Sequence, residues 1–580
     1  MKFLVLFLIF FDYLISSINS QSFSADFFAR LAPSSAEVCA KAGCIRGKVE
    51  TGRIKPYEAF YGIPYAEPPV GKLRFESPVP YGGWSGYWDA TYPRDYCIQK
   101  DYYGPPVTEI TGSEDCLYLQ VYRPIYRKKD TPLPVLVFIH PGAFLVYAST
   151  PPYFGPEYFM DNGEVIVVTF NYRLGLLGFL CSGDDAVKGN FGLKDQQLAL
   201  KWIAANIEYF GGDPNSVTLL GHNVGSASAN LHMMNPVSQN LFHRVILMEG
   251  NALSSDVYPI DFATQFRKTA KYVGLPEWKT ASTYELAYKL KYVDASQLVN
   301  ALGNLFAYYA TPFTPVRPCI EGDWEGAFLT EDPRKLWAEG RVAQKPMILS
   351  TVEHPGDIGA MITTNETLLA GFNKNIYKLL PIQMNFNPRY ITDVLEFYFG
   401  KKDYIDDTNV NYYYKMIGDR FSYYPIIALV KEYLTYANLE ENPVYMFELA
   451  FKSQYQTIDF LIGKDVNLGV GYFDDLLYLF TQTFIIPPFD ANSPEGKMSD
   501  VMIRTVVNFV ARGEIKEWKR FQSCTASSTP FCDWQVFSRY EKLEPNEVEV
   551  SVSNAIDVPM FNFWSKIDNG INALTIDTCS

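Results

Sequence analysis

The chain has 580 residues, with 64 acidic against 50 basic side chains and a formal net charge of −14. That acidity argues against nucleic acid and anionic membrane surfaces as partners. A hydrophobic share of 48%, spread evenly and without repeats, is ample for a large core. No metal-ligand pattern and no cofactor motif stands out, so neither a metal nor a cofactor is expected.

The N-terminus opens with Met1-Lys2, an apolar run over 3–11 and a small polar stretch over 16–20. This is the grammar of a secretory signal peptide, ending near Ser20-Gln21, and Asp12 makes the run too short for a membrane anchor. The expected organisation is a signal over 1–20 and one large domain over 21–580, secreted and extracellular. Nine cysteines suit that compartment. Cys97 and Cys116 bracket a polar loop and are expected to form a disulfide contributing about 3 kcal/mol. Cys524 and Cys532 bracket a second, shorter loop. Cys39 and Cys44 are close enough to pair, Cys181 and Cys319 have no assigned partner, and Cys579 is either a link between chains or a capped thiol. Asn365-Glu366-Thr367 is a glycosylation sequon, expected on a surface loop.

Residues 134–140 and 165–170 are continuous apolar runs, as strands covered on both faces require. Residues 193–209 read as a helix, with Leu198, Trp202, Ala205 and Tyr209 on one face and Gly211-Gly212-Asp213-Pro214 as its stop. Strands spaced by helical patterns predict an α/β fold, a large, mostly parallel central sheet sandwiched by helices. Chemistry in such sheets gathers at the carboxyl ends of the strands.

The segment 217–225 reads V-T-L-L-G-H-N-V-G, a strand, a sharp turn and the start of a helix. Its frame is that of the nucleophile elbow, G-x-S-x-G, with Asn223 at the centre. An amide has no proton to surrender and little nucleophilicity.

Other blocks complete the pattern. Tyr61-Gly62-Ile63-Pro64-Tyr65-Ala66 is followed by Leu73-Arg74-Phe75, Glu114-Asp115-Cys116-Leu117-Tyr118-Leu119, Asn171-Tyr172-Arg173-Leu174 and Phe210-Gly211-Gly212-Asp213-Pro214. In that order the motifs resemble the type B carboxylesterase/cholinesterase family of α/β-hydrolases. The resemblance implies an α/β-hydrolase fold and ester hydrolysis by Ser, Glu and His. It also implies which positions carry them: Asn223 stands at the serine position, Pro355 at the acid and Tyr472 at the histidine. The turn His140-Pro141-Gly142-Ala143-Phe144 is similar to the family's oxyanion turn, with Gly142, Ala143 and Val224 as its backbone donors. Tyr102 and Tyr103, without tryptophan, occupy the 97–116 loop, so choline recognition is not implied.

Three replaced positions lead to the expectation of a chain that is not an enzyme, a neuroligin- or glutactin-like member acting in extracellular binding or adhesion through a protein partner. One alternative is a carrier of small lipophilic esters held in the former gorge. Another is an active carboxylic ester hydrolase with displaced residues, for which His354, beside Pro355, is the candidate histidine. A homodimer is a further expectation, with 498–511 as its candidate helix.

Overall fold

The computed structural model describes residues 35–103, 109–126, 131–309, 311–516, 518, 534–539, 548–553 and 557–568. The signal segment and Cys524, Cys532 and Cys579 lie outside the described residues. In chain order the strands are β1 (Ala36–Ala40), β2 (Gly43–Thr51), β3 (Pro56–Pro64), β4 (Tyr87–Asp89), β5 (Tyr118–Pro124), β6 (Leu133–Ile139) and β7 (Ile166–Phe170). They continue as β8 (Gly212–His222), β9 (Arg244–Met248), β10 (Met347–Val352), β11 (Val444–Ala450), β12 (Trp534–Arg539) and β13 (Val548–Ser553).

All belong to one sheet in the order β1-β2-β3-β5-β7-β6-β8-β9-β10-β11-β12-β13, with β4 alongside β2. From β7 to β12 every neighbouring pair is parallel. From β1 to β7 the main path is antiparallel, and so is the last pair, β12 with β13. The parallel centre is the one expected. The antiparallel flank was not foreseen, because its strands carry mixed polar residues and look like loops.

The sheet separates two cores. Along β6, Val135, Val137 and Ile139 enter one, while Leu136 and Phe138 enter the other. This is the two-residue alternation of a strand covered on both faces. Helix α1 (Phe191–Asn206) tightens into a short 3-10 turn over Ile207–Phe210 and stops at Gly211, whose φ is 84°. Its buried face carries Leu193, Gln196, Leu200, Ile203 and Ile207. The expected stripe through Leu198 and Tyr209 is offset from it, and Tyr209 is exposed because the tighter turn rotates it outward. Helix α2 (Val224–Met234) is buried along its whole length, and its small residues Gly225, Ser226, Ala227 and Ser228 let it lie close to the sheet. Helix α3 (Pro494–Arg512) starts at a Ser493 cap and ends at Gly513. It contains the candidate dimer segment, yet Met498, Met502, Val506 and Phe509 face the chain's own core.

Cys97 and Cys116 are bonded as expected. Cys39 and Cys44 are bonded too, across the turn between β1 and β2. Cys181 and Cys319 are buried free thiols. Asn365 is exposed, but it caps a helix rather than sitting in a loop: its side chain accepts from the Leu368 N–H.

Candidate active site

Strand order reverses around β6. The chain leaves β6 for β7 on one side and returns to β8 on the other. A crevice opens at such a switch point, outside the carboxyl ends of the strands. The turn after β6 and the turn after β8 therefore face each other, with Ile139 in register with Gly221.

The turn after β8 keeps the elbow geometry. Asn223 has φ 52° and ψ −117°, between the end of β8 and the first residue of α2. Its N–H donates to the Met248 carbonyl and its own carbonyl accepts from Ala227. A Cβ on Gly221 would strike the Gly225 carbonyl, and one on Gly225 would strike the Ile139 carbonyl. Both glycines are thus required by the close approach of backbone. The neighbouring serines are already committed: the Ser226 hydroxyl donates to the Gly250 carbonyl and the Ser228 hydroxyl to Val224. Beneath the turn, His222 Nε2 lies 3.0 Å from Asp475 Oδ1, both fully buried. That buried pairing gives the histidine a structural role.

The turn after β6 runs through positive φ at Gly142 (109°), Ala143 (55°) and Phe144 (61°). The His140 ring stacks on Tyr172 at 4.4 Å, and the Tyr172 hydroxyl donates to the His140 carbonyl. Burial pushes the His140 imidazole down to about 4, so it is neutral. The Gly175 N–H donates to the Phe144 carbonyl, and Arg173 just before it makes a bidentate ion pair with fully buried Asp195.

Pro355 and Tyr472 reach the same place from the other side. The loops carrying them are stitched together by backbone groups and buried acids. The His354 N–H donates to the Val470 carbonyl, and the Tyr472 N–H donates to Asp357 Oδ1 at 3.0 Å. Asp474 accepts from Thr457 and Gly471 N–H groups at 2.7 and 2.9 Å. Burial is the main cause raising both acids; Asp474 reaches about 7, and Asp357 is raised further by its negative neighbour Asp474. Burial also holds the Tyr472 hydroxyl well above 10, leaving a neutral phenol.

These turns enclose a chamber with about 640 Å³ of empty space, part of it open to solvent. Gly142, Ala143, Asn223, Pro355 and Tyr472 line it, with Tyr103, Phe313, Phe421 and Leu461 as apolar walls. Val224 is buried beside it but does not line it. His354 does not enter. Its ring is half exposed in a separate surface basin shared with Lys415 and Asp419, so the expectation that it reaches the gorge is corrected.

The charged lining residue escaped the sequence reading. Asp256 is 6% exposed, adjoins the Asn223 amide and lines the chamber with Tyr472. It lies in the run Ser254-Ser255-Asp256, which looks like a polar surface turn. The available signal was its place just beyond the carboxyl end of β9. Among the described residues, no group of His, Cys, Asp and Glu has the arrangement of a metal site.

Comparison with known proteins bears on what this chamber does. The model of the carboxylesterase family matches residues 34–551. Juvenile hormone esterase of Tribolium castaneum is 33% identical over 92% of this chain and 94% of its own length. Esterase E4 of Myzus persicae is 33% identical over 78% of this chain and 82% of its own. Among solved structures, juvenile hormone esterase from Manduca sexta, with OTFP covalently attached, superposes with a TM-score of 0.78 at 27% identity, covering 92% of this chain and all of that one. The expectation of a non-enzyme is overturned by these matches: the relatives that align almost end to end are named esterases, and none of those matches points to adhesion. Asn223, Pro355 and Tyr472 exclude a Ser/Glu/His relay at those three positions and exclude no other route to hydrolysis. From elbow to sheet order, and over nearly its full length, the chain belongs to the carboxylesterase family.

Proposed function

We propose that this chain hydrolyses lipophilic carboxylic esters, bound in the chamber above Asn223. The observation that carries the reading is the chamber itself: an apolar enclosure at the switch point of the sheet, with few polar groups converging on its floor. The names of the relatives support the same substrate class, since a juvenile hormone esterase matches both in sequence and in fold.

In this reading the acyl carbonyl points to the turn after β6, where the N–H groups of Gly142 and Ala143 receive the charge that develops on oxygen. Position 223 has no hydroxyl, so no acyl-enzyme forms there and water is the nucleophile. Loss of a triad serine costs roughly 10⁶ in kcat, and donors with binding alone retain about 10³–10⁴ over water. The expected turnover is correspondingly slow. Secretion is part of the proposal, and the bonded pairs Cys39–Cys44 and Cys97–Cys116 suit an oxidising compartment. Among the described residues no helix is long and apolar enough to cross a membrane.

The test is hydrolysis of a p-nitrophenyl ester series by the purified chain. Saturable release that rises from acetyl to longer acyl chains supports the reading. Release no faster than with heat-denatured chain, together with no thermal shift by any ester, refutes it. A thermal shift without release favours retention of the ester over its hydrolysis.

A further inference from the structure

Asp256 is the polar side chain that the chamber leaves unanswered. It is more than nine-tenths buried, it lines the chamber, and its Oδ1 has no hydrogen-bond partner. The buried cation Arg317 acts on it through charge, while its guanidinium donates to the carbonyls of Thr314, Ser255 and Tyr258. The Asn223 amide adjoins the Asp256 carboxyl and favours its ionised form. An acceptor oxygen facing an apolar space, beside an amide at the tip of the elbow, is a seat for a small hydrogen-bond donor.

We propose that Asp256 is the general base of ester hydrolysis in this chain, acting through its unpartnered Oδ1 on a water held beside the Asn223 amide. The proposal rests on the ester-hydrolase reading above. In the first step one water O–H bond breaks, its proton passes to the carboxylate, and the water oxygen bonds to the acyl carbon. The carbonyl electron pair moves onto oxygen, towards the turn at Gly142 and Ala143. In the second step that pair returns, the bond from acyl carbon to alkoxy oxygen breaks, and the proton on Asp256 passes to the departing alkoxide. The products are the carboxylic acid and the alcohol, and Asp256 is ionised again. No side chain is acylated.

The surroundings suit this task. Burial raises the carboxyl above its usual range, while Arg317, Asn223 and the more distant Arg420 pull it down. A base whose affinity for protons is raised towards working pH is the efficient kind. Tyr472, across the chamber, is a neutral phenol and does not compete for the proton.

The competing account is that Asp256 only balances Arg317. Two variants separate them. Asp256→Asn keeps shape and hydrogen bonding, and it should lower kcat by about 10²-fold or more, with KM changed less than about threefold. Asp256→Ala opens space for a small carboxylate, and formate should restore part of its lost kcat without changing its unfolding midpoint. Hydrolysis by Asp256→Asn within about threefold of wild type overturns the proposal, and so does an acyl mass on chain quenched during turnover. If wild type is shifted in melting by esters but releases no product, the proposal falls while ester binding stands. If it does neither, both readings fall.

Discussion

At the floor of the chamber, between β6 and β8, position is set by backbone. Gly221 and Gly225 each lie where a side chain would strike a carbonyl, and those carbonyls belong to the sheet and to helix α2. At the rim, around Pro355 and Tyr472, position is set by side chains: Asp357 takes an N–H from the opposite loop, and Asp474 takes N–H groups from its own loop and from Thr457. The two regions lie against one chamber and respond differently to change. A backbone-determined turn permits one residue type at its glycines and leaves its central position free, so Asn223 sits there without disturbing the frame. A loop held through carboxylates tolerates substitution at the chamber-facing residues, provided that the acids behind them remain.

The contrast is broken most directly at the floor. Gly225→Ala should destabilise the chain by at least about 4 kcal/mol in urea unfolding, because the Ile139 carbonyl it meets cannot move without moving the sheet. Gly463→Ala is the control. Gly463 needs the left-handed conformation, at φ 70°, which Gly225 does not, but a Cβ there meets open space, so the cost should be only about 1 kcal/mol. Equal losses at the two sites would remove the argument that steric closure, rather than backbone torsion, defines the elbow.

This division also explains what could be read from residues alone. The elbow, the β6 and β7 runs and the stop after α1 were legible because close packing demands glycine at fixed spacing and unbroken apolar residues in strands covered on both faces. The antiparallel strands β1 and β2 were not, since their exposed positions carry charges and dilute the alternation. The rim acids and Asp256 were hidden for a different reason. A buried carboxylate and an exposed one are the same letter, and only the fold shows which of them lacks water. His354 was misplaced likewise: adjacency to Pro355 in sequence says nothing about which side of the loop faces the chamber.

The rim can be tested through protons. Folded Asp474 holds its proton up to about 7, whereas an unfolded aspartate releases it near 3.9. Between those values the folded state binds more protons, so its contribution is complete below about 4 and is lost as pH rises towards 7. The slope from this one group is at most about 1.4 kcal/mol per pH unit. Asp474→Asn accepts from Gly471 or Thr457 with no charge to bury, and it should flatten the decline in stability between about pH 4 and 7 by that amount. Parallel pH profiles for wild type and variant would mean that Asp474 is solvated and that the rim is held by something else.

The smallest effect should come from His354, one residue before the rim proline. Its backbone is part of the stitching, through the N–H that donates to Val470, and alanine keeps that bond. Its ring is half exposed and 3.9 Å from the exposed carboxylate of Glu353, a surface pair that contributes little. It faces the basin with Lys415 and Asp419, on the far side of Pro355 from the chamber. His354→Ala should therefore leave ester hydrolysis within about threefold, and stability within about 0.5 kcal/mol, of wild type. A loss of hydrolysis beyond tenfold at unchanged stability would show that the imidazole reaches the ester after all. The side chains of the rim, and not only the acids behind them, would then belong to the chemistry.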